Sequence, residues 1–290
     1  MKFQQLFKAA GGSVLGKDHV AIGKNNQDAI FLPESYNRTL CSIVCDGCGS
    51  QPNSEVGAKL FASLLGTFIV RHLDRYPNHG FLAQTEQAET FLKRIKDDAL
   101  AYMRMMVINL GDSMSRVVND MFLFTVVGAI ITEEVSVFFS FGDGVIYING
   151  ERISIGPWSN NEPPYLAYNL VRSTLGDANP HLLNFQVHRV MATQELNHAL
   201  IGSDGLTCLE AAEEKTFPGK PTIKVGPISQ LWEDDRFFKN PFAVQQFLNM
   251  VNMTRTKIDW IGQKVEKENG HLSDDTTLAV IRRNTIEQQD

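Results

Sequence analysis

Several short runs in this chain carry an apolar strand into an aspartate, which is the chemistry of hard oxygen ligands. Ile43-Val44-Cys45 leads to Asp46, followed by Gly47-Cys48-Gly49, and Phe139-Ser140-Phe141 leads to Gly142-Asp143-Gly144. Leu200-Ile201-Gly202-Ser203 leads to Asp204-Gly205, while Asp274-Asp275 immediately precedes the apolar run Thr277–Ile281. A carboxylate at a rigid strand end, beside a peptide carbonyl left open by glycine, offers two oxygen donors of the kind magnesium and manganese prefer. Taken singly, Asp-Gly after a strand is a hairpin turn. Taken together, and with Asp28 of Asn26-Gln27-Asp28, converging carboxylates repel one another unless cations neutralise them. A two-metal hydrolase needs this arrangement, with ions about 3.5 to 4 Å apart around an activated water.

The elements that must position these acids follow from periodicity. Ser13–Leu15 and Ala29–Leu32 read as strands around the polar stretch Gly23–Asp28, and Thr39–Cys45 as the strand that delivers Asp46. Pro52-Asn53-Ser54 opens a helix with Asn53 or Ser54 as cap and Val56, Leu60, Leu64 and Phe68 as its apolar face. A second helix follows Pro77–Gly80, with Ala88, Phe91, Leu92, Ile95, Ala99, Tyr102, Met103 and Met106 on one face and Gly111 at its stop. The methionines belong to that core face.

From Met121 the period becomes that of strands. Met121–Thr132, Val135–Phe141 and Val145–Asn149 form an expected antiparallel meander. Gly156–Pro164 reads as a surface loop near the site, and Leu182–Val190 and His198–Gly202 as strands. Lys215–Pro227 has no clear period, so 213–240 is expected to be a flap or irregular insertion. Phe242–Met253 and Ile258–Val265 have helical spacing before the closing strand Thr277–Arg282. Helices at both ends of an antiparallel middle predict an α+β fold: two packed antiparallel β-sheets, a β-sandwich, flanked by pairs of α-helices. Ligand candidates at both ends of the chain favour a single domain over residues 1–290.

Composition narrows the partners. The 290 residues are 43% hydrophobic, enough for a large core. A formal charge of −6 argues against nucleic acid or an anionic membrane, both of which favour a basic footprint. No apolar run reads as a membrane span and Gln4, Gln5 and Lys8 interrupt any signal-peptide core, so the expectation is a soluble, cytoplasmic monomer. Cys41, Cys45, Cys48 and Cys208 are too few for a disulfide framework, and without a second close pair they read as ordinary thiols rather than a zinc site.

The ordered set Asn26-Gln27-Asp28, Val44–Gly49, Gly142-Asp143-Gly144, Ser203-Asp204-Gly205 and Asp274-Asp275-Thr276-Thr277 resembles the metal-dependent serine/threonine protein phosphatases of type 2C. Gly12-Ser13-Val14 through His19 to Asp28 is most similar to their prokaryotic branch. The resemblance covers nearly the whole chain and implies a sandwich of two sheets flanked by helix pairs. It also implies hydrolysis of phosphoserine and phosphothreonine by a metal-activated water, without a phosphoenzyme, using two Mn2+ or Mg2+ ions and a weak third. By resemblance Asp46 bridges both ions, the Gly47 carbonyl binds one, and Asp204 with Asp274 binds the other. Asp28 and Gln27 order water at the metals, with Asp275 in support, and Asp143 joins Asp204 at the third ion. A phosphorylated protein and its cognate kinase are the implied partners.

Four positions depart from the family pattern. Gln27 stands for a common Glu, Cys48 for a His that serves as a candidate general acid, and Cys208 for a common Asp. Gly23 stands where an Arg binds phosphate, leaving Lys24 or His19 as candidate phosphate contacts. Two other readings compete: a catalytically weak member that binds a phosphoprotein, and a small-molecule phosphoesterase with the same metal chemistry. Three desolvated carboxylates in one cleft have no use in a pure scaffold, which disfavours the first.

Overall fold

The structure is a computed structural model, and it describes residues 3–33, 37–156, 158, 162–171 and 183–284. Strands β2 (Ala29–Phe31), β3 (Thr39–Gly47), β4 (Phe124–Thr132), β5 (Val135–Phe141) and β8 (Gln186–Ala192) form one five-stranded sheet in the order β2-β3-β4-β5-β8. The second sheet has the order β1-β14-β9-β6-β7, from β1 (Phe7–Val14), β14 (Thr276–Arg283), β9 (His198–Gly202), β6 (Gly144–Ile148) and β7 (Glu151–Ile155). All their pairings are antiparallel. The α+β sandwich expected from the sequence is the fold observed.

Three apolar layers hold it together. Leu40, Val44, Val127, Ala129, Phe138, Ile146, Ile201 and Ala279 pack between the sheets. Cys41, Ile43 and Cys45, on the opposite face of β3, pack under helices α2 (Ser54–Leu73) and α3 (Thr85–Leu110). Because a strand alternates its side chains between faces, a strand covered on both sides reads as the unbroken apolar run that β3 is. The outer face of the second sheet is covered by α5 (Leu206–Glu210), α6 (Gln230–Glu233), α7 (Arg236–Lys239) and α8 (Ala243–Val251), with Leu206, Leu231, Phe237, Phe247 and Leu248 buried there.

Several elements differ from the sequence reading. The buried face of α2 is Ala58, Phe61, Ala62, Leu65, Phe68, Ile69 and Leu73, with Leu64 packed at its edge, whereas Val56 and Leu60 of the expected face are exposed. Small residues let this helix sit close to the sheet, and a Cβ on Gly66 would meet the Phe31 ring at 2.1 Å. Asn53 precedes the helix but makes no side-chain cap. Helix α2 is also long and apolar enough to cross a membrane by composition, but half of it is buried against the sheet as a core helix. The face expected for α3 is the one buried, apart from half-exposed Tyr102, and Gly111 ends it with φ +77.

Two short helices, α1 (Lys17–Ala21) and α4 (Met114–Met121), occupy stretches for which the sequence suggested no element. The meander is split: after β5 the chain turns at Gly142-Asp143 and crosses to the other sheet as β6. Ile258–Val265 is not a helix but part of the hairpin β12 (Arg255–Asp259) and β13 (Lys264–Glu268). Its 3-and-4 spacing of Ile258, Ile261 and Val265 imitates a helix, yet all three are exposed. The Asp259 carboxylate accepts the Ile261 and Gly262 N–H groups and closes the turn instead. Residues 213–240, expected as a flap, form the hairpin β10 (Thr216–Phe217) and β11 (Lys220–Lys224) with α6 and α7. Val225, Leu231, Trp232 and Phe237 are buried against the second sheet. Of the loop Gly156–Pro164, residues 157 and 159–161 lie outside the described residues, as does Leu182 of the strand expected at Leu182–Val190.

Candidate active site

Strand parity orients three of the acids, Asp46, Asp28 and Asp275. On β3 the even residues Leu40 and Val44 face the other sheet, so Asp46 faces the same inter-sheet space at its end. On β9 Ala199 and Ile201 face inward, which places Ser203 there. On β14 Ala279 and Ile281 do so, which places Thr277 and Asp275 there. Ile30 of β2 gives Asp28 the same orientation. Four strands thus bring polar side chains together at one end of a sandwich otherwise filled with hydrocarbon.

These residues form two layers. The outer one is a cleft of about 430 Å³ lined by His19, Asp46, Gly47, Cys48, Gly49, Ser50, Thr125, Asp143, Glu162, Pro163, Tyr165, Asp204 and Asp274. Behind it, Asp28 and Asp275 are 2% and 3% exposed, too little to line a cleft. Asp28 accepts the Ser203 hydroxyl at 2.7 Å. Asp275 accepts the Gly16 N–H at 2.7 Å through Oδ1 and the Gln27 N–H at 2.6 Å through Oδ2. Buried Gln27 donates from Nε2 to Ser54 Oγ at 2.6 Å and to the Gln51 carbonyl at 3.0 Å. Ser54 Oγ in turn donates to the Cys48 carbonyl at 3.0 Å, which fixes the glycine-rich turn after Asp46.

Electrostatics separates these acids from ordinary surface carboxylates. Burial, then the charges of Asp28, Asp204, Asp143 and Asp274, raises the Asp46 carboxyl well above the usual range. Burial and then Asp204 push Asp143 up to about 6, against a lowering hydrogen bond from Thr125. Asp274 is raised by burial and then by Asp204. Burial and then Asp275 push Asp28 up to about 8, against hydrogen bonds with Ser203, Thr277 and Asp46. The Asp28 Oδ1 atom nonetheless meets no well-aligned donor, and Gln27 Oε1 is likewise buried without one.

Among the described lining residues there is no lysine or arginine to offset this charge. The oxygens of Asp46, Asp143, Asp204 and Asp274, with the carbonyl beside Asp46, make a hard donor set. That set fits divalent magnesium or manganese, whose charge would offset the mutual repulsion of these carboxylates.

A profile of the protein phosphatase 2C family matches residues 15–261. The chain belongs to that family. Membership makes it a metal-dependent serine/threonine protein phosphatase, the activity its ordered motifs implied. Among solved structures, the serine/threonine phosphatase Stp1 from Staphylococcus aureus is 13% identical with a TM-score of 0.51, covering 98% of each chain. A bacterial serine phosphatase carrying a point substitution is 15% identical with a TM-score of 0.50, over 96% of this chain and 99% of that one. The catalytic domain of the phosphatase PstP, in complex with two manganese ions, is 14% identical with a TM-score of 0.46, over 97% and 99%. At these identities the likeness is one of fold. A comparison with curated sequences gives no match.

Within this phosphatase the expected site residues divide. Asp46, Gly47, Asp143, Asp204, Asp274 and His19 line the cleft, whereas Asp28, Gln27 and Asp275 stand behind it. Lys24, expected as a phosphate contact, is turned away: its Nζ bonds the Gly49 carbonyl and lies 3.4 Å from the Gln51 carbonyl. Cys208 does not reach the cleft either, since its Sγ pairs with Ser273 Oγ at 3.1 Å and packs against the outer core. Thr125 and Tyr165 escaped the sequence reading. Thr125 is the register partner of Asp46 on β4, a pairing across nearly eighty residues that no local pattern records. Burial raises the Tyr165 hydroxyl, and its next largest influence is a hydrogen bond with Cys48, so it stays protonated at the cleft wall.

Proposed function

We propose that this cleft hydrolyses phosphoserine and phosphothreonine in proteins, with Asp46, the Gly47 carbonyl, Asp204 and Asp274 holding two Mn2+ or Mg2+ ions. The observation that carries the reading is the convergence of four carboxylates from both sheets on one open cleft with no lysine or arginine among its described lining residues. Bound there, the ions would supply Lewis acidity and lower the pKa of a coordinated water. Asp28 and Gln27 hold the cleft floor from behind. Thr125 fixes Asp143, which with Asp204 makes the weaker third cation site. The Tyr165 hydroxyl, raised by burial, keeps its proton on the cleft wall.

A Ser/Thr kinase must supply such a substrate. We also assign the chain to the cytoplasm as a monomer: its four cysteines are free thiols, as a reducing compartment maintains, and helices cover the outer faces of both sheets. Phosphate release from phosphothreonine peptides tests the reading. Activity is expected to vanish on full chelation and return with added manganese; turnover that survives chelation would overturn it.

A further inference from the structure

His19 lies at the junction of the two layers, and its surroundings differ from those of a phosphate contact. Helix α1 is locked onto the segment before β14: Lys17 and Asp18 donate their N–H groups to the Leu272 and Ser273 carbonyls at 3.0 and 3.1 Å. Gly16 approaches so closely that a Cβ there would meet the Asp274 carbonyl carbon at 2.4 Å. The His19 side chain is 13% exposed, with Nδ1 3.0 Å from Asp275 Oδ1 and Nε2 3.9 Å from Asp274 Oδ1. The first contact is short but not aligned as a hydrogen bond. Nε2 faces the cleft across Gly49, where even a Cβ would remain 3.6 Å away.

Resting on the two-metal reading above, we propose that His19 is a metal ligand, its Nε2 joining Asp274 on one ion while Asp275 orients the ring from behind. A histidine that binds a metal nearly always gives its other ring N–H to a carboxylate or carbonyl, which sets the tautomer and leaves the second nitrogen's lone pair for the ion. Asp275 is a ready partner because the Gly16 and Gln27 N–H groups already fix both its oxygens. The 3.9 Å between Nε2 and Asp274 Oδ1 is too long for a hydrogen bond. It falls within the span of about 4.2 Å that two ligands can subtend across one ion with bonds of roughly 2.1 Å. One ligand atom each from His19, Asp274 and Asp275 lies within 4.8 Å of the others. An Nε2 whose lone pair holds an ion has no donor for phosphate, so this role replaces the phosphate contact expected from the sequence. A nitrogen ligand also shifts preference away from Mg2+ toward transition metals, because imidazole suits softer ions than an all-oxygen site does.

Pulsed electron paramagnetic resonance of the full chain loaded with Mn2+ tests this without measuring turnover. Directly coordinated imidazole gives a 14N coupling, expected in the wild type and absent in His19→Ala and His19→Gln. Calorimetric titration should show Mn2+ affinity falling about tenfold or more in both variants, with Mg2+ affinity changing less. Mn2+ that binds the wild type without 14N coupling would overturn the role of His19 and leave the metal centre standing, and that result does not depend on any variant folding. Failure of the wild type to bind Mn2+ at all would overturn both.

Discussion

Asp46, Asp143, Asp204 and Asp274 face an open cleft, whereas Asp28 and Asp275, one layer deeper, face polar groups of the chain itself. In the deeper pair Asp275 is matched, accepting two backbone N–H groups, while Asp28 accepts a serine hydroxyl through Oδ2 but meets no well-aligned donor at Oδ1. The outer four are mismatched, since Asp143, Asp204 and Asp274 raise the carboxyls beside them and no described lysine or arginine stands among them. The same residue type therefore does opposite work in adjacent layers. A satisfied buried carboxylate fixes the backbone, while unsatisfied carboxylates store repulsion that only a cation or a proton relieves.

The largest effect separating the layers should come from Asp46→Asn. Loss of the one charge proposed to touch both ions should lower kcat/KM by about a thousandfold or more. The metal-free melting temperature should hold or rise, because one repelling charge has gone. Activity within tenfold of the wild type, measured on a phosphothreonine peptide, would remove the outer layer from the chemistry.

Asp275→Asn should do the reverse, costing about 3 kcal/mol of unfolding free energy in a urea titration, since hydrogen bonds to a buried charge are worth roughly 1.5–3 kcal/mol each. A variant as stable as the wild type would show that the deeper layer is not structural. Manganese at about 100 times its Kd should add roughly 2.7 kcal/mol to the wild type, read by calorimetry as a higher Tm. An unchanged Tm would make the outer aspartates turn residues rather than ligands.

The pH dependence sharpens the comparison further. The carboxyls of Asp143 and Asp28 titrate near 6 and 8 in the folded chain, against about 3.9 unfolded. The folded state thus holds these protons more tightly, so their stabilising contribution is complete below about pH 4 and is lost as pH rises through 6 and 8. Metal-free protein should therefore lose stability from this source between pH 4 and 8, and saturating Mn2+ should flatten the change by neutralising the same charges. Equal slopes with and without metal, from Tm measured across that range, would contradict the assignment. The smallest effect is expected from Cys208→Asp. A carboxylate there would face Ser273 and the outer core rather than Asp143 and Asp204, so the manganese dependence of turnover should be unchanged. A tighter third site in that titration would place Cys208 at the cleft after all.

Much of this organisation was legible before folding. The Asp46, Asp204 and Asp274 motifs, the face of α3 and the sandwich itself follow from strand-to-acid junctions and from periodicities of two and 3.6. Legibility failed where a pattern had two solutions. Ile258, Ile261 and Val265 keep helical spacing but lie on a hairpin closed by Asp259, and Val56 and Leu60 sit one step off the face that α2 buries. Lys24 had the right charge and a nearby position, yet its reach was taken up by the Gly49 and Gln51 carbonyls.

The sequence by itself determined that carboxylates would stand at the ends of buried strands, because each apolar run gives way to an acid beside a turn residue or a second acid. Tertiary structure alone decided their depth. Asp274 and Asp275 are neighbours in sequence, yet one lines the cleft and the other is buried behind it. Thr125 came beside Asp46, and Gly16 and Gln27 against Asp275, through strand register and backbone contacts between segments tens to hundreds of residues apart. Local pattern records a side chain's direction; whether that direction meets a donor, a cation or water is set by what the rest of the chain packs against it.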